Sequence, residues 1–263
     1  MKRFTSDKDL ARLLILTPYR PSISDPTIAL LDNLTRSGAT TLKLPGMSDV
    51  GLARCLLAAA ACEFIGKTDK DIEVVMWLDA DMFAERDVLI RQLNHLVEVD
   101  AEFQDSLGAF PVAVSGMYAR RREANVLTAS RVEDHPVHKL EDGTLLVPAH
   151  TGLGCLMQPV MSFIDGCERA EQLVTERGQT IPAICRTGPR TTRFKGQDVR
   201  CWGQEDWWYC ERIWQLGGLV YLDTSVAWGH LSESLTLPMG MPQNLFIDSD
   251  RIRSDGGSEA LTP

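Results

Sequence analysis

The stretch Ile72-Glu73-Val74-Val75-Met76-Trp77-Leu78 is apolar at every position but Glu73 and stops abruptly at Asp79-Ala80-Asp81. Continuous apolar runs of this length mark parallel strands buried on both faces. In open α/β sheets ligands bind just beyond the carboxyl ends of such strands. Two carboxylates placed there form a hard-oxygen site suited to Mg²⁺ or Mn²⁺, above all to an ion already carrying phosphates. The Asp-x-Asp spelling alone decides nothing, because it also occurs as Asp7/Asp9, Asp69/Asp71 and Asp248/Asp250. Only Asp79/Asp81 has a strand pattern before it and a helix pattern after it, and helix capping is the competing explanation.

The first hundred residues repeat this alternation. Arg12–Thr17 reads as a buried strand, ended by Pro18-Tyr19-Arg20-Pro21. Asp25-Pro26 predicts a helix start with Asp25 as N-cap, and Ile28, Leu31 and Leu34 share one face. Thr40–Leu44 is a short strand. Ser48 is the expected cap of a helix from Gly51 to Ile65, with Arg54 in its first turn, within reach of a ligand above the sheet. Leu89, Ile90, Leu93, Leu96 and Val97 form the apolar stripe of the next helix. The order is βαβαβα, a doubly wound half-sheet. No Gly-x-Gly-x-x-Gly follows the first strand, which argues against an ordinary dinucleotide fold.

After residue 110 the pattern changes. Pro111–Tyr118 reads as a strand, and 123–150 as short strand-like pieces with turns. Thr151-Gly152-Leu153-Gly154-Cys155 leads into a strand through two glycines, which permit either close backbone approach to a ligand or a bulge. A helix is expected over 159–177. Residues 178–203, rich in Gly, Pro, Thr and Arg, read as a long loop of the kind that often serves as a lid. Glu205 and Asp206 open the next helix, with Trp207, Cys210 and Trp214 as its buried face. Leu219–Asp223 is a strand, followed by Trp228-Gly229-His230.

The net charge of −9 argues against a general nucleic-acid binder. The charge is uneven, however: Arg186, Arg190, Arg193, Lys195 and Arg200 face only Asp198 between residues 186 and 200, and Arg120-Arg121-Arg122 is a second basic cluster. Either is a solvated loop or a phosphate contact. Seven cysteines without regular spacing point to reduced thiols and a cytoplasmic location, with no zinc-site spacing. No apolar run reaches membrane-spanning length, and no signal-peptide core is evident.

The order of four motifs resembles glycosyltransferases of the GT-A fold, near the large family-2-like group. The motifs are Thr17-Pro18-Tyr19-Arg20, Asp79-Ala80-Asp81, Thr151-Gly152-Leu153-Gly154-Cys155, and Glu205-Asp206 with His230 downstream. The resemblance implies a single α/β domain of GT-A type over 1–236, with a Rossmann-like nucleotide-binding half (about 10–110), a mixed-sheet acceptor half (about 111–236) and a peripheral tail at 237–263. It implies a metal-dependent transferase moving sugar from a nucleotide-sugar, UDP-sugar favoured, to an acceptor hydroxyl, with inversion. Asp81 would bind Mn²⁺ or Mg²⁺ directly, Asp79 the metal or the ribose, and His230 would complete the metal site or touch the diphosphate. Thr17, Pro18, Arg20, Arg54, Gly152 and Gly154 would line the donor pocket. Asp206 would be the general base, supported by Glu205.

The acceptor is open. The basic residues Arg186, Arg190, Arg193, Lys195 and Arg200 allow a polyanion such as DNA bearing a hydroxylated base. Two other classes compete with a transferase. A sugar nucleotidyltransferase would normally carry a Gly-rich loop after the first strand. A nucleotide-sugar-binding protein without catalysis would have no need of Asp79, Asp81, Asp206 and His230 together.

Overall fold

The computed structural model describes residues 1–107, 112–120, 123–127, 129–131, 137–194, 197–231 and 235–236. Arg121, Arg122, Lys195 and the tail at 237–263 lie outside them. After a short 3-10 turn, the first half runs β1 (Leu13–Tyr19), α1 (Asp25–Arg36), β2 (Thr40–Pro45), α2 (Val50–Lys67), β3 (Val74–Trp77), β4 (Met82–Phe83) and α3 (Arg86–Leu107). The second half opens with β5 (Val112–Met117), β6 (Ala119–Arg120), β7 (Glu123–Leu127), β8 (Ala129–Arg131), β9 (His138–Lys139), β10 (Thr144–Leu146) and β11 (Pro148–Thr151). It continues with β12 (Leu156–Pro159), α4 (Val160–Glu168), β13 (Gln172–Val174), β14 (Thr180–Pro182), β15 (Gly188–Phe194), β16 (Gln197–Gly203), α5 (Glu205–Gln215), β17 (Leu219–Ala227), β18 (Gly229–Leu231) and β19 (Leu235–Thr236).

One eight-stranded sheet organises the chain, in the order β2-β1-β3-β12-β5-β17-β10-β9. β2, β1 and β3 are parallel, as the βαβαβα pattern requires. β12 runs antiparallel to both β3 and β5, β17 is parallel to β5, and β10 is antiparallel to β17. The fold is therefore mixed α/β.

Strand alternation divides the core into two layers. Leu13, Ile15, Val74 and Met76 pack with Leu31 and Leu34 of α1 and Leu89, Leu93 and Leu96 of α3. Leu14, Leu16, Val75 and Trp77 pack with Leu57, Ala58 and Ala61 of α2, Phe163 of α4, and Tyr209, Cys210 and Ile213 of α5. Each fully buried aliphatic side chain contributes roughly 1.5–3 kcal/mol. Burial on both faces explains why β1 and β3 read as unbroken apolar runs.

Several boundaries differ from the sequence reading. Ser24, not Asp25, caps α1, accepting the Thr27 N–H at 3.4 Å. Asp49, not Ser48, caps α2, accepting from Leu52 at 3.0 Å. The helix expected to reach residue 177 stops at Glu168, where the Arg169 and Ala170 N–H groups close back on Asp165 O and Cys167 O and the Gln172 side chain donates to the carbonyls of Cys167 and Ala170 at 3.0 Å each. The β13–β14 hairpin follows, turning through Gly178 at φ +76°. The expected long loop at 178–203 is instead β14 and the antiparallel pair β15–β16. On α5 the buried residues are Tyr209, Cys210 and Ile213, while Trp207 and Trp214 are half-buried. Among the described residues no helix is long and apolar enough to cross a membrane, and Cys55, Cys62, Cys155, Cys167, Cys185 and Cys210 are free thiols.

Candidate active site at the end of the central strand

The ladder around β3 extends past its last residue. The Leu78 N–H donates to Leu16 O, and the Asp79 N–H to Gly154 O, both at 3.0 Å. The next carbonyls are also held: Ser24 N–H donates to Ala80 O, Met82 N–H to Asp79 O and Leu231 N–H to Asp81 O. The Asp79-Ala80-Asp81 turn is thus tied to the N-cap of α1, the glycine bend before β12, and β18.

Continuing the alternation puts Asp79 on the Trp77 face, beneath α2. There Arg54 Nη2 donates to Asp79 Oδ1 at 2.7 Å, with the guanidinium 5.3 Å from the Trp77 ring centroid. Arg54 is 1% exposed and lies in the second turn of α2, not the first. Burial opposes its charge, but Asp79, with Cys185 and Glu205 further off, outweighs this and raises its pKa. Its Nε and Nη1 have no protein partner. A buried guanidinium with donors to spare is a ready ligand for phosphate oxygens.

The second carboxylate has a different partner. β4 pairs with β18 so that His230 stands opposite Met82, which brings His230 Nε2 to 3.3 Å from Asp81 Oδ2. His230 Nδ1 lies 2.8 Å from Ala119 O. A carbonyl only accepts, so Nδ1 carries a hydrogen, and in the neutral ring Nε2 presents its lone pair to the Asp81 carboxylate. Two lone pairs facing each other at that separation require a proton or a cation between them.

The acceptor half supplies Glu205 and Asp206 in the first turn of α5. Gly51 of α2 makes the approach possible: a Cβ there would lie 3.4 Å from the Glu205 Cβ and 3.2 Å from Asp49 Oδ1. The two helix N-termini therefore converge. Asp206 Oδ1 accepts the Trp207 N–H at 2.7 Å. Burial, then the like charge of Glu205, raises the Asp206 carboxyl from 3.8 to about 6, against the Trp207 hydrogen bond and the charge of Arg54. Asp79 also contributes to the rise, which places Asp206 in the field of the Arg54–Asp79 pair.

Tyr118, which the sequence reading passed over, joins these groups. Its hydroxyl accepts the Gly154 N–H at 3.0 Å, and its ring meets His230 edge-on at 5.6 Å. Burial, with Cys155 and Asp79 adding to it, holds the phenol well above its ordinary pKa, so it stays neutral. Its only sequence signal is its place just past the apolar strand Val112–Met117.

The remaining predicted residues are placed less directly. A Cβ on Gly154 would meet Tyr118 and Met82 at 3.0–3.1 Å, so this glycine serves close packing beneath the site. Gly152 is buried, and its carbonyl lies 3.4 Å from the Ser115 hydroxyl. Pro18 is buried on the Arg54 face of the sheet, and Arg20 is exposed one residue past β1. Thr17 is fully buried but shares the opposite face with Leu13 and Ile15, so it does not converge with Arg54. A broad depression lined by Arg3, Arg91, His95, Glu98 and Asp142 lies along α3 and includes none of these residues.

The residues were tested as a divalent-cation site. No group of three His, Cys, Asp or Glu among the described residues forms a protein cage, because Asp79 turns to Arg54. Asp81 and His230 do fit a cation that takes its other ligands from phosphate and water, the usual manner of Mg²⁺.

The sequence matches no protein-family model and no curated protein. Its structure is similar to the crystal structure of A197 from STIV, with a TM-score of 0.50 and 15% identity over 87% of this chain and 94% of A197. That likeness is one of fold, and it agrees with the single mixed α/β fold expected from the sequence.

Proposed function

We propose that this chain is a glycosyltransferase that moves a sugar from a nucleoside-diphosphate donor, with UDP-sugar favoured, to an acceptor hydroxyl with inversion. The observation that carries this reading is the Arg54–Asp79 ion pair at the end of the central strand, with the N-terminus of α5, which bears Glu205 and Asp206, packed against Gly51 of the helix that carries Arg54. Charge supports the requirement for a divalent ion. The carboxylates Asp79, Asp81, Glu205 and Asp206 outnumber Arg54 and His230, so a diphosphate needs added positive charge to enter. Mg²⁺ or Mn²⁺ held by Asp81 and His230 would supply that charge and neutralise the leaving diphosphate.

Arg54 offers Nε and Nη1 to the diphosphate while Nη2 stays on Asp79. Asp206 takes the acceptor proton as the hydroxyl oxygen bonds to the anomeric carbon. The bond from that carbon to the diphosphate breaks, and its electron pair leaves on the diphosphate oxygen. A base titrating near 6 is ionised at neutral pH yet still basic enough to accept the proton. Glu205 helps set that value, and Tyr118 stays a neutral phenol in the field of Asp79 and Asp206.

The test is a panel of UDP-, GDP-, TDP- and CMP-sugars with Mn²⁺ or Mg²⁺, followed by nucleotide release. Metal-dependent hydrolysis of one donor, lost in Asp81→Ala, is expected. Absence of donor binding by calorimetry with either metal overturns the reading.

A further inference from the structure

We propose that His150 is a positioning residue for Asp206, acting through the Trp207 ring stacked on it. This inference rests on the transferase reading and deepens it at the same site. α5 carries Trp207, Glu211 and Trp214 at i, i+4 and i+7, which places them on one stripe of the helix. All three are half-buried, and the stripe borders the core residues Tyr209, Cys210 and Ile213. It meets the imidazole of His150, near the end of β11. The Trp207 and His150 ring centroids lie 4.7 Å apart with their planes 13° apart. Trp214 follows two turns on, at 6.2 Å and 25°. Between the two indoles along the helix, Glu211 places Oε1 3.6 Å from His150 Nε2.

The stack bears on Asp206 because of where Trp207 stands. The first N–H groups of a helix have no carbonyl partner within it. Trp207 supplies one of them, and Asp206 Oδ1 accepts it at 2.7 Å. The Trp207 backbone therefore sets the direction of the Asp206 carboxylate, and the Trp207 ring fixes that backbone on His150. The strand that bears His150 is tied in turn to the donor half. The next carbonyl, Thr151 O, accepts the Cys210 thiol at 3.5 Å. Gly154, a little further on, takes the Asp79 N–H on its carbonyl and gives its own N–H to the Tyr118 hydroxyl. One short segment, 150–154, thus holds the proposed base on one side and Asp79, the partner of Arg54, on the other. Loss of the stack would shift the base against the anomeric carbon and leave the Arg54–Asp79 pair in place.

Asp206 reports its own position. Burial is the largest cause of its rise to about 6, so a loosened first turn admits water and lowers it. The groups that share its field are Glu205 and Cys210 on α5, Arg54 on α2, Asp79, Tyr118 and Cys185. Burial keeps the two thiols and the phenol neutral, and Arg54 keeps its charge, throughout the range in which Asp206 titrates. On the other side of the stack Glu211 faces His150.

The experiment is the carboxyl titration of Asp206, read by NMR on the full chain carrying isotope-labelled aspartate and assigned with Asp206→Asn. The unaltered chain should titrate with a midpoint of about 6. His150→Ala and His150→Gln, which remove the ring, should move it toward the ordinary carboxylate value of about 4. His150→Phe, which keeps a ring on Trp207, should return it to about 6. Metal-dependent donor hydrolysis should follow the same order. In His150→Ala kcat should fall roughly tenfold to a hundredfold with the KM for donor unchanged, and His150→Phe should recover it. Thermal melting checks that each variant folds, and if His150→Ala does not, His150→Gln decides. A midpoint that stays at about 6 without the ring, or one that moves equally in His150→Phe, overturns the proposal. The titration needs no turnover, so it separates the two readings. A responsive titration in a chain inactive toward every donor sinks the transferase reading and leaves the link from His150 to Asp206 standing. Turnover with an unmoved titration sinks only the role of His150.

Discussion

Replacing Asp206 by Asn should make the protein more stable at neutral pH and inactive as a transferase. Burial and Glu205 raise this carboxyl from 3.8 to about 6 in the folded chain. The unfolded carboxyl loses its proton near 4, so between these values the folded state binds more protons than the unfolded one. Stability then falls as pH rises through that window, and the deficit persists above it. A displacement of this size corresponds to about 3 kcal/mol at most. Asp206 keeps some solvent contact, so ~1–3 kcal/mol is the working range. Asn retains an oxygen for the Trp207 N–H and so removes the charge without orphaning that donor.

For a chain of this size each kcal/mol moves the melting temperature by about 2–4 °C. Asp206→Asn should therefore melt about 3–10 °C higher at pH 8 and within a degree or so of the unaltered protein near pH 3.5. Calorimetry at the two pH values reads both differences. The same variant should lose roughly 10²–10⁴-fold in transfer while donor affinity holds. In the unaltered protein the proposed transfer should speed up with pH around a midpoint near 6, where Asp206 loses its proton. A melting temperature at pH 8 that is equal or lower in the variant would refute the burial argument. Retained turnover would refute the role of the base.

Three further outcomes follow from the geometry. Arg54→Lys keeps the charge but loses the planar fork, and should weaken donor binding about tenfold by calorimetry and cost ~1–3 kcal/mol in denaturant unfolding. Gly229→Ala would set a Cβ 2.2 Å from the Phe83 ring, forcing β18 away from β4 and His230 from Asp81; half-saturation by Mn²⁺ should rise severalfold, and an unchanged value would break that link. His95, held by Asp223 at 2.5 Å and Asp142 at 2.7 Å, has a raised pKa because these carboxylates outweigh the effect of burial. Its contribution is present in full below 6.5 and is lost as pH rises through the folded value, so His95→Gln should flatten the decline of melting temperature on the alkaline side.

What the sequence disclosed is what local pattern controls. β1 and β3 are buried on both faces, so their apolar runs were visible, and the abrupt change at Asp79 marked the end of the central strand. Glu205 and Asp206 were legible because a helix start has its own signals. The β15–β16 pair was not: its Gly, Pro, Thr and Arg residues read as a loop, because strands that, among the described residues, pair only with each other need no buried face to advertise them. Nor was the end of α4, where the Gln172 side chain, from the strand that follows, joins the backbone N–H groups of Arg169 and Ala170 on the carbonyls there.

The partners of the two aspartates depend on a different scale of order. Asp79 and Asp81 look equivalent in sequence, and the expectation gave Asp81 to the cation and Asp79 to the cation or the ribose. Alternation of the strand sends Asp79 under α2 to Arg54, while the turn after it sends Asp81 to the β4–β18 pairing and His230. That pairing joins segments about 150 residues apart and rests on Gly229, which alone leaves room for the Phe83 ring. The division matters for mechanism. One carboxylate fixes a buried arginine with two spare donors, and the other stands with the histidine. Under the proposed function such a site would separate orienting the diphosphate from neutralising it, so loss of Arg54 and loss of His230 should combine nearly additively in donor binding. Strong non-additivity in the double variant would mean that the two aspartates act as one unit after all.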